Sequence, residues 1–194
     1  MIAKLLVAAL FLMMQTYPTP GPGGSAAPST IYGQNAFTGG SSAPGVNGLL
    51  VGIYFVPTAN ETAVSCSVML ATNTNASGGQ IDCGLYSGTA TQFTTPLCHA
   101  TYTAGSANLA AQTITVNLTG CGTLTSGSGY WIIENNNDAG FAPQTYTCGG
   151  TCTGAAGTNT YPEYYAVETY GSYPSSVSGI AGPDRASFYL LATP

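Results

Sequence analysis

LTSGSGYWIIENNND, residues 124–138, is the stretch from which the fold is read. Gly127, Ser128 and Gly129 predict a turn. Tyr130, Trp131, Ile132 and Ile133 follow, the densest run of β-formers in the chain, with its only tryptophan. Aromatic and β-branched side chains fit a pleated, half-buried surface. The run gives way to Glu134, Asn135, Asn136, Asn137 and Asp138. The expectation is a buried strand that opens into an oxygen-rich loop, with the other strands packed around it.

The chain has 194 residues, enough for one domain with a real core. Lys4 and Arg185 are its only strong bases; the acids are Glu61, Asp82, Glu134, Asp138, Glu163, Glu168 and Asp184. Charged residues make up 5% of the chain, against roughly 25% in an ordinary soluble domain. Polar surface must therefore come from Ser, Thr, Asn, Gln, Gly and Tyr. Two bases cannot neutralise a run of phosphates, so nucleic acid is excluded as a partner. So few charged groups predict a stability that changes little with pH or salt. A trypsin-like protease finds almost nothing to cut. These traits suit a protein exposed to an uncontrolled exterior.

Six cysteines point to an oxidising compartment. The start of the chain agrees. Lys4 precedes the apolar run LLVAALFLMM at 5–14, the pattern of a secretory signal. The run is too short for a membrane-spanning helix, which needs about 20 apolar residues; no transmembrane span is expected. Residues 1–17 read as a signal peptide, or as a short apolar segment that packs on a neighbouring subunit in the manner of a pilin. No A-x-A motif follows, which places cleavage near Gln15 to Tyr17 or as late as Ala27. Residues 18–30, rich in Pro and Gly, read as an arm or linker. Residues 31–194 read as the β domain.

Within it, IYGQNAF at 31–37 is expected as a first strand. LLVGIYFV at 49–56 is a nearly continuous apolar run and predicts a strand buried on both faces or central to a sandwich. Val64, Cys66, Val68 and Leu70 alternate onto one face. The turn ATNTNASGG follows, and IDCGLY at 81–86 returns. A hairpin closed symmetrically about that turn sets Cys66 opposite Cys83, close enough for a bridge. Strands at 97–103 and 113–118, closed about residues 105–111, bring Cys98 near Cys121. In the second of these, Ile114, Val116 and Leu118 share one face, and Thr113, Thr115 and Asn117 the wet one. Cys148 and Cys152, separated by GGT, suit a local staple. Other connectivities remain open. The segment 141–160 reads as a long loop, 161–173 as a tyrosine-rich short strand, 174–183 as loop, and ASFYLLA at 186–192 as the last strand. Eight to ten short strands with Gly and Pro turns, and no amphipathic helix, predict an all-β antiparallel sandwich stapled by disulfides.

From residue 49 to 137 the order of elements carries a resemblance. An apolar strand is followed by AVSCSVML, then GLYSG at 84–88, a loop with Pro96, TITVNL, and L-x-x-G-x-x-Y-W at 124–131. This resembles the jelly-roll modules of secreted bacterial and archaeal surface proteins, over about half of the chain. The resemblance implies a jelly-roll sandwich and an adhesive, structural or carbohydrate-binding role. The paired cysteines are not part of that pattern.

Candidate sites follow from the residue types. Asn60, Asn75 and Asn117 begin N-x-[ST] sequons, two in expected turns and one on an outward face, where glycans attach. Trp131 and the tyrosines Tyr161, Tyr164, Tyr165, Tyr170 and Tyr173 suit sugar stacking or a subunit interface. The acids and amides at 134–138 lack the spacing of a calcium loop, and no metal or other cofactor is implied. Catalysis has no constellation: His99 is the lone histidine, no nucleophile elbow is present, and Glu163 with Glu168 is too unspecific a pair. The expectation is therefore not an enzyme. It is a secreted structural protein of the cell surface, self-associating into a filament or pilus. An N-terminal strand at 19–37 would add to a neighbour's open sheet edge, which resembles donor-strand pili. The alternative is a carbohydrate-binding or adhesive module.

Overall fold

The computed structural model describes residues 29–33, 49–70, 78–105, 112–137, 145–146, 164–178, 180–181, 185–186 and 188–194. All regular structure among them is strand. In chain order the strands are β1 (Thr30–Gly33), β2 (Leu49–Phe55), β3 (Glu61–Leu70), β4 (Gln80–Thr89), β5 (Gln92–Thr103), β6 (Gln112–Asn117) and β7 (Thr123–Leu124). Then come β8 (Tyr130–Asn136), β9 (Thr145–Tyr146), β10 (Tyr164–Val167), β11 (Val177–Ser178), β12 (Ile180–Ala181), β13 (Arg185–Ala186) and β14 (Phe188–Thr193). Several two-residue strands carry the number above the expected eight to ten.

Two antiparallel sheets face each other. One runs β1-β14-β3-β6, with β7 pairing the start of β3; the other runs β11-β5-β4-β8-β2-β10-β12. A small β9–β13 pair stands apart. Alternation along each strand explains the layers. Val51, Ile53, Phe55, Ile81, Cys83, Leu85, Tyr130 and Ile132 of the larger sheet meet Tyr32, Cys66, Val68, Leu70, Ile114, Phe188 and Leu190 of the smaller one. The remaining faces of β2, β4 and β8 are apolar too. Leu50, Tyr54, Tyr86, Phe93, Trp131 and Ile133 form a second core on the outer side of the larger sheet. Of the apolar run at 49–56, residues 50–55 are thus buried on both faces, as its composition predicts, while Val56, beyond the end of β2, is exposed.

The oxygen-rich loop expected after Ile133 is a correction. β8 continues through Asn136, and Glu134, Asn135 and Asn136 are all buried. The backbones of Glu134 and Asn135 are laddered on both sides, by β2 and by β4, and that of Asn136 by β4. Asn136 Nδ2 also donates to Glu134 Oε1 at 3.0 Å. Backbone pairing in a central strand outweighs the polar side chains.

Both expected cysteine hairpins are also corrected, although their bridges are present. Cys66–Cys83 and Cys98–Cys121 form with Cα separations of 5.8 and 4.9 Å. But β3 and β4 belong to opposite sheets, as do β5 and β6. The cysteines meet across the interior and not along a ladder. A nine-residue connection between β3 and β4 is longer than hairpin turns use, and it suffices to cross the roughly 10 Å between sheets. The true hairpin is β4–β5, closed by Ala90 and Thr91. It carries Pro96 inside β5, at a register shift, where a loop was expected. Val64 leaves its expected core face for a similar reason. The pairing of β3 with β14 skips it as a bulge, and it is exposed.

Cys148 and Cys152 lie outside the described residues, as do residues 34–37 of the expected first strand. Replacing Cys66 and Cys83 together by alanine opens a bridge whose members are 17 residues apart. That loop length gives an expected loss of about 3 kcal/mol, measured as a lower urea midpoint against the wild-type protein.

Candidate functional site

Asp82 stands between Ile81 and Cys83 on β4. Its neighbours face the interior, so its carboxylate points to the outer face of the larger sheet. It is nonetheless 2% exposed. The segment 168–176 covers it. That segment joins β10, which pairs β2, to β11, which pairs β5; four strands lie between them. At strand spacing this is roughly 24 Å, which the connection must span. It does so as a strap laid across the sheet.

The strap's course follows from its sequence. Ser172 N–H donates to the Thr169 carbonyl at 2.8 Å, and Gly171 takes φ 75°. This is a type II turn, which needs glycine at its third position. The turn sets Tyr170 and Tyr173 over Asp82. Tyr170 OH donates to Oδ1 at 3.1 Å, Tyr173 OH donates to Oδ2, and Thr101 Oγ1 donates to Oδ1. His99 Nδ1 lies 3.5 Å from Oδ2. Its ring stacks on Tyr173, with centroids 4.3 Å apart. Thr101 is the ladder partner of Asp82 on β5, and the fully buried Asn135 is its partner on β8. Farther along, Tyr86 OH donates to the Pro174 carbonyl at 3.3 Å and Gln92 Nε2 to Ser176 Oγ at 2.8 Å.

A second buried carboxylate, Glu61, sits at the start of β3 and is 4% exposed. Thr30 Oγ1 donates to its Oε1 at 2.5 Å, and Tyr32 OH to its Oε2 at 2.7 Å. This ties β1 into the smaller sheet across β14.

The tyrosines carry the electrostatic consequence. Burial, then the charge of Asp82 and the hydrogen bond to it, push Tyr170 up to about 12. Tyr173 is raised further, by burial first and then by the same carboxylate. Burial also raises Tyr32, helped by Glu61, and Tyr86, helped by Glu168.

The expected site residues are distributed as follows. Trp131 is fully buried beneath Tyr54 and Phe93, and its Nε1–H donates to the carbonyls of Thr89 and Gln92. This corrects its reading as a stacking surface: β8 is central in its sheet, and the β4–β5 hairpin closes over the indole. Tyr170 and Tyr173 come together on Asp82. Tyr164 and Tyr165 lie in β10, and Tyr161 is outside the described residues. Asn60 and Asn117 are exposed, and Asn75 is outside the described residues. Among the described residues, no group of three or more His, Cys, Asp or Glu could hold a metal ion.

Asp82, Thr101 and Glu61 were not singled out from sequence. One signal was available: in IDCGLY, inward Ile81 and Cys83 force Asp82 outward beside Tyr86. Chemically, the Asp82–His99 pair has the parts of an acid–base dyad, but the surrounding hydroxyls of Thr101, Tyr170 and Tyr173 donate to the carboxylate itself. The arrangement holds chain segments in place. Comparison with known proteins finds no matching family model and no similar curated protein.

Four raised tyrosines revise the expectation of a weak pH dependence, which left tyrosine out. In the unfolded chain tyrosine ionises near 10; in the folded protein these four ionise higher. The folded state then holds more protons above pH 10, so stability is intact below that pH and falls as pH rises past it. Each of the buried pair Tyr32 and Tyr86 removes about 1.4 kcal/mol per pH unit. Urea midpoints are expected to be flat up to roughly pH 9.5 and to drop steeply beyond pH 10; a flat profile to pH 12 contradicts the burial of these hydroxyls.

Proposed function

We propose that this is a secreted structural protein of the cell surface, a subunit of an extracellular filament or pilus. It is built on a jelly-roll sandwich and assembled by strand exchange through its N-terminal arm. One observation carries this reading. β1, the strand nearest the N-terminus, is an edge strand that pairs only β14 among the described strands. β14 is FYLLAT, an alternating strand whose Phe188, Leu190 and Ala192 are fully buried. Stripped of β1 it is an open apolar edge, which recruits a strand.

Residues 34–48 connect β1 to β2. Fully extended, they reach roughly 50 Å, more than the roughly 40 Å width of a domain this size. The chain is therefore long enough for β1 to be laid on a neighbour's β14. Exchanging an identical strand preserves every contact and costs little. The contact is head-to-tail and propagates as a fibre.

The other edges favour this assignment. β5 is covered at its start by β11 and beyond it carries Pro96 and two register shifts, β10 is covered by β12, and β6 ends in the exposed sequon residue Asn117. Such features blunt an edge. Two disulfides between the sheets hold the receiving sandwich together, and they suit the oxidising exterior. Glycans on Asn60 and Asn117 would keep a surface with few charges soluble. No helix among the described residues is long and apolar enough to cross a membrane. The carbohydrate-binding alternative has less support, because Trp131 is buried and the hydroxyls of Tyr170 and Tyr173 are engaged by Asp82.

Deleting residues 16–37 is expected to leave folded, monomeric protein by circular dichroism and size exclusion, with no fibres by negative-stain electron microscopy. Fibres that persist after the deletion contradict the role of the arm.

A further inference from the structure

β1 is four residues long, yet its positions are set by distinct contacts. Thr30 and Tyr32 lie on one face of the strand and each gives a hydroxyl to a different oxygen of Glu61. The Tyr32 ring is 3% exposed and stacks on Phe55, with centroids 4.4 Å apart. Gly33 takes φ 97°, and a Cβ there would lie 2.4 Å from the Phe188 carbonyl oxygen, so only glycine fits. Ile31, between them, is half-buried. The pattern T-x-Y-G occurs once in the chain.

Backbone pairing alone cannot select this segment. The edge of β14 offers the same carbonyls and amides to any extended peptide, and specificity must come from sites for alternate side chains. Glu61 is such a site. A slip of one residue turns both hydroxyls outward and sets Ile31 against the carboxylate. A buried carboxylate stripped of its donors costs far more than one ladder bond.

We propose that Glu61 is the recognition residue of the strand seat: it admits the Thr30–Gly33 segment of a second copy, in one register, by binding its Thr-x-Tyr hydroxyl pair. The occupant rests on the strand-exchange reading above; the Glu61 contact does not. The carboxylate makes the edge of β14 discriminating. An extended strand with aliphatic residues at the two positions leaves it unpaired, and a chain lacking the motif is refused.

The test uses the full-length protein, with hydrogen–deuterium exchange at the β1 amides and sedimentation to weigh the assembled fraction. Thr30→Val with Tyr32→Phe keeps the shape of the strand and removes both hydroxyls. The β1 amides that pair with β14 are expected to exchange about 10- to 100-fold faster. Amides of β4 and β8 keep wild-type rates, and the assembled fraction is lost. Adding Glu61→Met restores both readouts, because removing donors and acceptor together is nearly neutral. Tyr32→Phe alone gives a loss of about 10-fold and replaces the double variant if that one loses protection throughout. Unchanged β1 exchange in these variants overturns the role of Glu61. Faster β1 exchange with an undiminished assembled fraction overturns the second copy as occupant, and strand exchange with it, while leaving Glu61 as the anchor of the chain's own strand.

Discussion

Buried carboxylates that accept hydrogen bonds from side-chain hydroxyls and amides tie this protein together outside its β-ladders. Of the four acids among the described residues, three, Glu61, Asp82 and Glu134, are at most 4% exposed. Each accepts hydrogen bonds from side chains: Glu61 from Thr30 and Tyr32 of β1, Asp82 from Thr101 of β5 and from Tyr170 and Tyr173 of the strap, Glu134 from Asn136 of its own strand. Hydrogen bonds to an ionised acceptor are roughly twice as strong as neutral ones. A carboxylate left unpaired inside is heavily penalised. The two effects together make these acids effective anchors for short segments at the margins of the sheets. β1 and the strap at 168–176 are such segments. A chain with few surface charges has little use for salt bridges, and it places its scarce charge where one group fixes several hydroxyls.

The two sheets form the frame in which those anchors work. Both disulfides cross between sheets, one through the interior and one from β5 to the turn between β6 and β7. The frame's rigidity therefore does not depend on β1. That separation matters for assembly, because a receiving edge must keep its shape while its strand is exchanged. The strap has the opposite character. It spans the larger sheet and is tied down at Asp82, Tyr86 and Gln92, so it closes the outer core.

Much of the fold was legible in the sequence where a single strand decides its own environment. Residues 50–55 of the apolar run are buried on both faces, and the alternation of Ile114 and Val116 with Thr113 and Thr115 gives the two faces of β6. The cysteine pairs 66–83 and 98–121 were legible because each falls at matching distances from an intervening turn, but that symmetry does not say which sheet a strand joins. That is why two arches between sheets read as hairpins. Asn135 and Asn136 read as loop because their side chains are polar, whereas their place in a central strand is set by neighbours on either side. The anchors were illegible for a related reason. Tyr173 is 91 residues from Asp82, and Tyr32 is 29 from Glu61; only the completed topology brings them together.

Ile31 and Leu191 are ladder partners, and both are half-buried on the outward side of β1 and β14. The most direct measurement is to oxidise the assembled Ile31→Cys/Leu191→Cys variant and run it denatured without reductant. Strand exchange predicts a ladder of disulfide-linked multimers, because each new bond joins two copies. A single band at the mass of one chain, with the bond closed inside it, contradicts the account.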